Sequence, residues 1–360
     1  MTVKNFLAKA NSWICRELSQ PRRAFVFDFD ITVSFVCGFD DTVNIGHTLI
    51  PALWHVRGRE SRVYLYPFPR SASDFHDLPI KGEMPGKEGT FKERPRFGLT
   101  GLCKLGDYIF AGSWNGVYKI AKDFTLESII SNHLISDPHG IYCDNDFIYT
   151  CLTCKDALII SDHEGRIVDR FSVGKDLKLY TDDSLDRYDW RFISKQYRGG
   201  KGFFHFNYIQ KHGDEILLTS RNLGSLVVID IKSRSCHLEP INLASQTLLH
   251  DGVKINDKYY FTSTDGQIII AENKDGGLYN RGLCADYIKL RRHPNWCRGI
   301  AIKGDVALTA VDGKYGSNLA FGIHAVSLSG KYIGEIRFSY DYSKIGIKQK
   351  PLYLTGFDIV

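Results

Sequence analysis

The chain repeats itself, and that repeat constrains its fold more than any other feature. Five segments share one pattern: a small residue, an apolar strand, a polar turn, a second apolar strand, then a hairpin into a third. They open with LTGLCKLGDYIFAGS at Leu99, PHGIYCDNDFIYTCL at Pro138, HFNYIQKHGDEILLTSR at His205, HDGVKINDKYYFTST at His250 and CRGIAIKGDVALTAV at Cys297. The anchor positions are Gly101, Gly140, Asn207, Gly252 and Gly299, at intervals of 39, 67, 45 and 47 residues. Glycine at four of five anchors suits a backbone that approaches a neighbour closely or turns to positive φ. Three of the four intervals match one propeller blade, a four-stranded antiparallel sheet.

The expected fold is therefore all-β. The sequence predicts a five-bladed β-propeller over residues 98–345, with an insertion at 175–204, an N-terminal extension at 1–97 and a C-terminal tail at 346–360. Six blades is the alternative, because RAFVFDFDITVSFVCG and SRVYLYPF within 24–97 read as strands able to supply a blade or close the ring. Phe6, Leu7, Trp13, Ile14 and Leu18 are spaced as one face of a short helix. Outer strands such as YIGEIRFS alternate cleanly, while the inner runs are almost continuously apolar, as strands buried on both faces are. An aromatic content of 13%, 33 glycines and only two methionines favour strands and turns in the same way.

The second repeat, PHGIYCDNDFIYTCLTCKDALIISDHEGRIVDRF, resembles the blades of the NHL and gluconolactonase/strictosidine-synthase-like propellers, which run P-x-G-I, then I-Y, then D-x-x-G. The resemblance spans residues 99 to 340 and implies a fold, not an activity. The calcium-dependent hydrolases of that group hold a Glu and Asn/Asp residues around a central metal. The corresponding strand starts here hold His and Arg instead.

Several function classes are excluded as expectations. Lys and Arg exceed Asp and Glu by only 5, and the basic residues are scattered without a recognition motif, so nucleic acid is not an expected partner. No run of 18 apolar residues exists, so no membrane-spanning helix is expected. Nine cysteines in no dense pattern, and an N-terminus without an apolar leader core, point to free thiols in a cytoplasmic protein. The Cys151–Cys154 pair lacks the second pair of a zinc ribbon and reads as two core residues. No Gly-rich phosphate loop or GxSxG elbow is present, so no nucleotide cofactor is expected. VFDFDITV matches a DxDxT loop but sits in no alternating α/β sequence and reads as an ordinary strand. The acidic turns SDHEG at 161–165 and NKDGG at 273–277 read as hairpins at the rim opposite the candidate site.

In a blade, the starts of first strands and the ends of second strands share one rim of the central channel. That rim collects His139, His205, Asn207, His250, Asp251 and Arg298 from strand starts, and Trp114, Asn115, Arg221, Asn222, Asp265 and Asp312 from strand ends. The 175–204 insertion, carrying Trp190, falls on the same rim, where long loops often serve function. Three histidines from three successive blades carry three readings. They can hold a divalent metal (Zn, Fe or Mn), with Asp251 as a further ligand or an orienting partner. Without metal, His139, His205 or His250 can act as acid or base near neutral pH. Or they can simply be hydrogen-bonded channel residues. Arg298 would clamp an anionic group, and Trp114, Asn115, Asn207, Arg221, Asn222, Asp265, Asp312 and Trp190 would contact the substrate. The expectation is a small-molecule lyase, hydrolase or isomerase acting on a polar or anionic substrate. The alternative is a non-catalytic propeller binding a glycan or a protein. The five rims differ, which favours one asymmetric site over repeated equal ones.

Overall fold

The computed structural model describes residues 30–41, 46–57, 60–66, 99–153, 155–177, 203–243, 248–272, 283–289, 297–311, 322–337 and 353–359. Among them the chain is almost wholly β, and one four-residue helix, α1 (Val173–Asp176), follows the third blade. The N-terminal helix, Cys154, most of the insertion with Trp190, the turn at 273–277 and Asp312 lie outside the described residues.

Six blades form, not five, so the principal sequence expectation is corrected in favour of its alternative. Blade 1 comprises β1 (Asp30–Asp41), β2 (Gly46–Arg57) and β3 (Glu60–Leu65), and its fourth strand arrives from the far end of the chain as β24 (Tyr353–Ile359). Blade 2 is β4 (Leu102–Leu105) to β7 (Leu126–Ile130), with β5 at Tyr108–Ser113 and β6 at Gly116–Ala121. Blade 3 is β8 (Pro138–Cys143), β9 (Ile148–Leu152), β10 (Ala157–Ser161) and β11 (Ile167–Ser172). Blade 4 is β12 (Phe206–His212), β13 (Glu215–Ser220), β14 (Ser225–Asp230) and β15 (Ser235–Asn242). Blade 5 is β16 (Leu249–Ile255), β17 (Lys258–Ser263), β18 (Gln267–Glu272) and β19 (Leu283–Lys289). Blade 6 is β20 (Cys297–Lys303), β21 (Val306–Val311), β22 (Gly322–Ser327) and β23 (Tyr332–Arg337).

The sixth blade escapes a repeat search because its strands are not contiguous. β24 pairs antiparallel with β1, from Val33 opposite Ile359 to Gly38 opposite Tyr353. β24 also lies against β20 and β21, so the last blade meets the first and the ring closes. Hydrogen-bonding the last described strand onto the first removes the open edge that a linear row of sheets would leave. From Asp30 onward the DxDxT segment is part of β1, and Thr32 Oγ1 lies 3.1 Å from His55 Nδ1 on the neighbouring β2; Asp28 lies outside the described residues.

Apolar layers between blades hold the ring. Leu53 and Tyr66 of the first blade region pack with Leu102 and Tyr118. Phe110 and Val117 meet Ile141 and Ile148. Tyr149 and Leu158 meet Ile209 and Leu218. Leu226 and Ile241 meet Leu249 and Phe261. Tyr260 and Ile268 meet Ile300 and Val326. Third strands such as β10 and β22 are buried along their whole length, which explains their unbroken apolar sequence. Blades 4 and 5 are further joined by a short parallel pairing of β15 with β19, Ile241 opposite Leu283.

No helix among the described residues is long and apolar enough to cross a membrane.

Candidate functional site

The candidate residues owe their placement to a recurring backbone irregularity. In blades 3 to 6 the pairing of the inner strand with its neighbour slips near the strand start: between Pro138 and Gly140, Phe206 and Ile209, Leu249 and Gly252, and Arg298 and Ile300. His139, Asn207, His250 and Asp251 lie within these bulges. A bulge re-aims side chains that strict alternation would send to opposite faces. In the sequence His139 precedes its anchor by one residue and His205 and His250 precede theirs by two; the bulges re-aim His139 and His250, while His205 precedes the bulge of its strand.

Two linked clusters result. In the first, His139 Nδ1 lies 3.0 Å from Asn207 Oδ1, and His139 Nε2 lies 3.3 Å from Asp137 Oδ1. The His205 ring stands edge-on to His139 with centroids 5.6 Å apart. Asp137 and His205 both adopt left-handed backbone, with φ of 52° each. Non-glycine residues rarely do so, and such strain concentrates at functional sites. His205 Nδ1 and Asn207 Nδ2 are buried with no hydrogen-bond partner among the described residues. Burial drives the His205 pKa down to about 2, and nearby His139, His250 and Arg221 push the same way.

In the second cluster, His250 Nδ1 lies 2.6 Å from Asp251 Oδ2. The same carboxylate oxygen accepts the Gly299 N–H at 2.5 Å and the Thr262 hydroxyl at 3.4 Å. Both residues are 2% exposed, and Arg298 beside them is 7% exposed. Burial lowers His250 well below the ordinary histidine range, with the positive charges of Arg298 and Arg221 helping. Burial raises Asp251 against the opposing pull of the Gly299 N–H and Arg298. The pair thus shares one proton in a setting that disfavours charge, the arrangement in which a carboxylate orients an imidazole.

Trp114 and Asn115 are buried on the β5–β6 turn, and the Trp114 carbonyl accepts the Asp137 N–H at 2.7 Å, tying this turn to the first cluster. Both polar atoms of the Asn115 amide lack a partner among the described residues. Arg221 follows β13, and its N–H reaches the His205 carbonyl at 3.3 Å. Two predicted contacts stand apart. Asn222 is exposed and donates to the Phe203 carbonyl at 3.0 Å. Asp265 is exposed and accepts from Ser263 and Gln267 within its own turn. The residues that sequence reasoning missed are Asp137, Thr262 and Gly299. Asp137 is signalled only by its place before the Pro138-His139 pair, Gly299 only as a repeat anchor, and Thr262 by nothing local.

Among the described residues, no three His, Cys, Asp and Glu side chains converge closely enough to hold a metal ion. Both ring nitrogens of His139 and Nδ1 of His250 are already engaged by protein partners. A separate open groove of about 610 Å³ lies between blades 1 and 2, lined by residues including Thr32, His55, Tyr64, Lys104 and Phe124. None of the predicted site residues lines it.

No protein-family model matches the chain, and no curated protein does. Among solved structures, the chain is similar to the Pan2 WD40 domain of Neurospora crassa at 9% identity and a TM-score of 0.40, over 67% of this chain and 66% of that one. It is also similar to a protein of unknown function from Bacteroides caccae at 8% identity and a TM-score of 0.49, over 91% and 98% of the two chains. Likeness at this level carries no functional argument, and the propeller rests on the sheet topology itself.

Proposed function

We propose that the histidine-bearing mouth of the channel binds a small anionic molecule and that His250, oriented by Asp251, exchanges a proton with it. The observation that carries this reading is the buried 2.6 Å contact between His250 Nδ1 and Asp251 Oδ2 beside Arg298. A carboxylate fixed on one ring nitrogen sets the tautomer and leaves proton exchange to Nε2. Arg298 and Arg221 supply positive charge in a low-dielectric setting, where an anion gains most. His205 and Asn207 offer buried polar atoms to the same ligand.

Calorimetric titration of small carboxylates and organic phosphates tests it. Arg298→Gln is expected to weaken the best binder by about ten- to a hundredfold, the size of one charge-assisted hydrogen bond. In wild type the binding enthalpy should depend on the buffer's ionisation heat, reporting proton exchange, and in His250→Asn that dependence should vanish. Undiminished binding by a folded Arg298→Gln variant would overturn the anion site. Binding without proton exchange would leave a non-catalytic binding propeller.

A further inference from the structure

The inner wall between blades 2 and 3 is tight at Gly101. A Cβ built on Gly101 of the β4 approach would stand 2.7 Å from the His139 carbonyl oxygen, 2.7 Å from the Ile141 nitrogen and 2.8 Å from Gly140 Cα. All three are backbone atoms, so only glycine permits this approach. The two inner strands run side by side away from that contact, and β4 and β8 remain neighbours. Two residues beyond Gly101 comes Cys103, and three beyond Gly140 comes Cys143. The Cys103 Sγ lies 3.2 Å from the Cys143 backbone nitrogen, accepting its N–H, and 3.7 Å from the Cys143 carbonyl oxygen. The Cys103 sulfur thus lies against both backbone polar groups of Cys143. Neither is in a disulfide; Cys103 is half-buried and Cys143 is buried at 4% exposure.

We propose that Cys103 and Cys143 are a redox-modification site, forming a reversible disulfide that staples blade 2 to blade 3 across the inner wall. The oxidant is a small peroxide such as hydrogen peroxide. The more accessible Cys103 thiolate attacks the peroxide O–O bond, giving a sulfenic acid and releasing hydroxide. The Cys143 sulfur then attacks the Cys103 sulfur, the S–O bond breaks and water leaves with the Cys143 proton. A dithiol reverses the bond by thiol–disulfide exchange. Burial pushes the Cys143 thiol pKa up, which makes the second step slow and favours sustained over brief exposure to oxidant. The pair sits farther along the inner strands than the bulges, so the staple and the histidine mouth are separate features.

The folded wild-type chain is treated with hydrogen peroxide, unfolded, alkylated and peptide-mapped. A single linked peptide pair containing Cys103 and Cys143 is expected, with a loss of about two mass units that dithiothreitol restores. The oxidised protein should melt at higher temperature than the reduced protein, because the link closes a loop of 40 residues in the unfolded chain. Cys103→Ser should leave Cys143 alkylatable after the same treatment. The proposal is overturned if both thiols of wild type stay alkylatable while another cysteine oxidises. It is also overturned if Cys103 proceeds to a sulfinic acid without linking, or if either residue links elsewhere. Mapping wild type decides the matter even if a variant fails to fold.

Discussion

His205 concentrates several costs in one side chain: left-handed backbone, a buried ring and a ring nitrogen without a partner among the described residues. Its folded pKa lies far below the unperturbed 6.5. The sign follows directly. A histidine held neutral by burial contributes its full stability above about pH 6.5 and loses it progressively as pH falls toward the folded value. The His250–Asp251 pair adds little slope of its own, because burial lowers the imidazole and raises the carboxyl together. Denaturant unfolding should therefore show stability falling by about 1.4 kcal/mol per pH unit between roughly pH 6 and 4.5 on account of His205. His205→Asn should flatten that dependence, and an unchanged slope in the variant would refute the burial account.

At the scale of elements, the bulged starts of β8, β12, β16 and β20 convert strand positions into a site. The flat alternation of a strand would scatter His139, Asn207 and His250, and a bulge costs one residue of pairing to gather them. The tight approach of β4 to β8 is the other element-level device. Gly101→Ala forces a methyl onto backbone atoms at 2.7 Å, and the expected destabilisation is about 1–3 kcal/mol, as for other overpacked substitutions. Chemical denaturation would measure it, and a shift within error would show that the two inner strands can part without penalty. The repeat pattern identified the inner strands and their glycine anchors from sequence, since spacing and hydrophobic pattern are local properties. The bulges were not legible, because a bulge is defined by the partner strand and leaves no mark in the strand that bulges.

For the whole molecule, closure is the decisive event. Blade 1 is completed by β24, so the two ends of the described chain lie in one sheet. A chain ending at residue 352 would expose the edge of β1 and lose the contact of β24 with β20 and β21. Such a truncation is expected to melt at clearly lower temperature and to self-associate through the unpaired edge. Calorimetry with light scattering checks both, and an equally stable monomer would show that closure is dispensable.

The all-β class and the blade pattern were legible along the chain. Those follow from periodicity and residue chemistry, which act over a few neighbours. The count of six blades, the contact of Asp251 with His250, the contacts of Asp137 and Asn207 with His139, and the meeting of Cys103 with Cys143 emerge only in the folded ring. Each of these joins residues far apart along the chain, and the free energy of such a contact depends on the closed ring that brings its partners together.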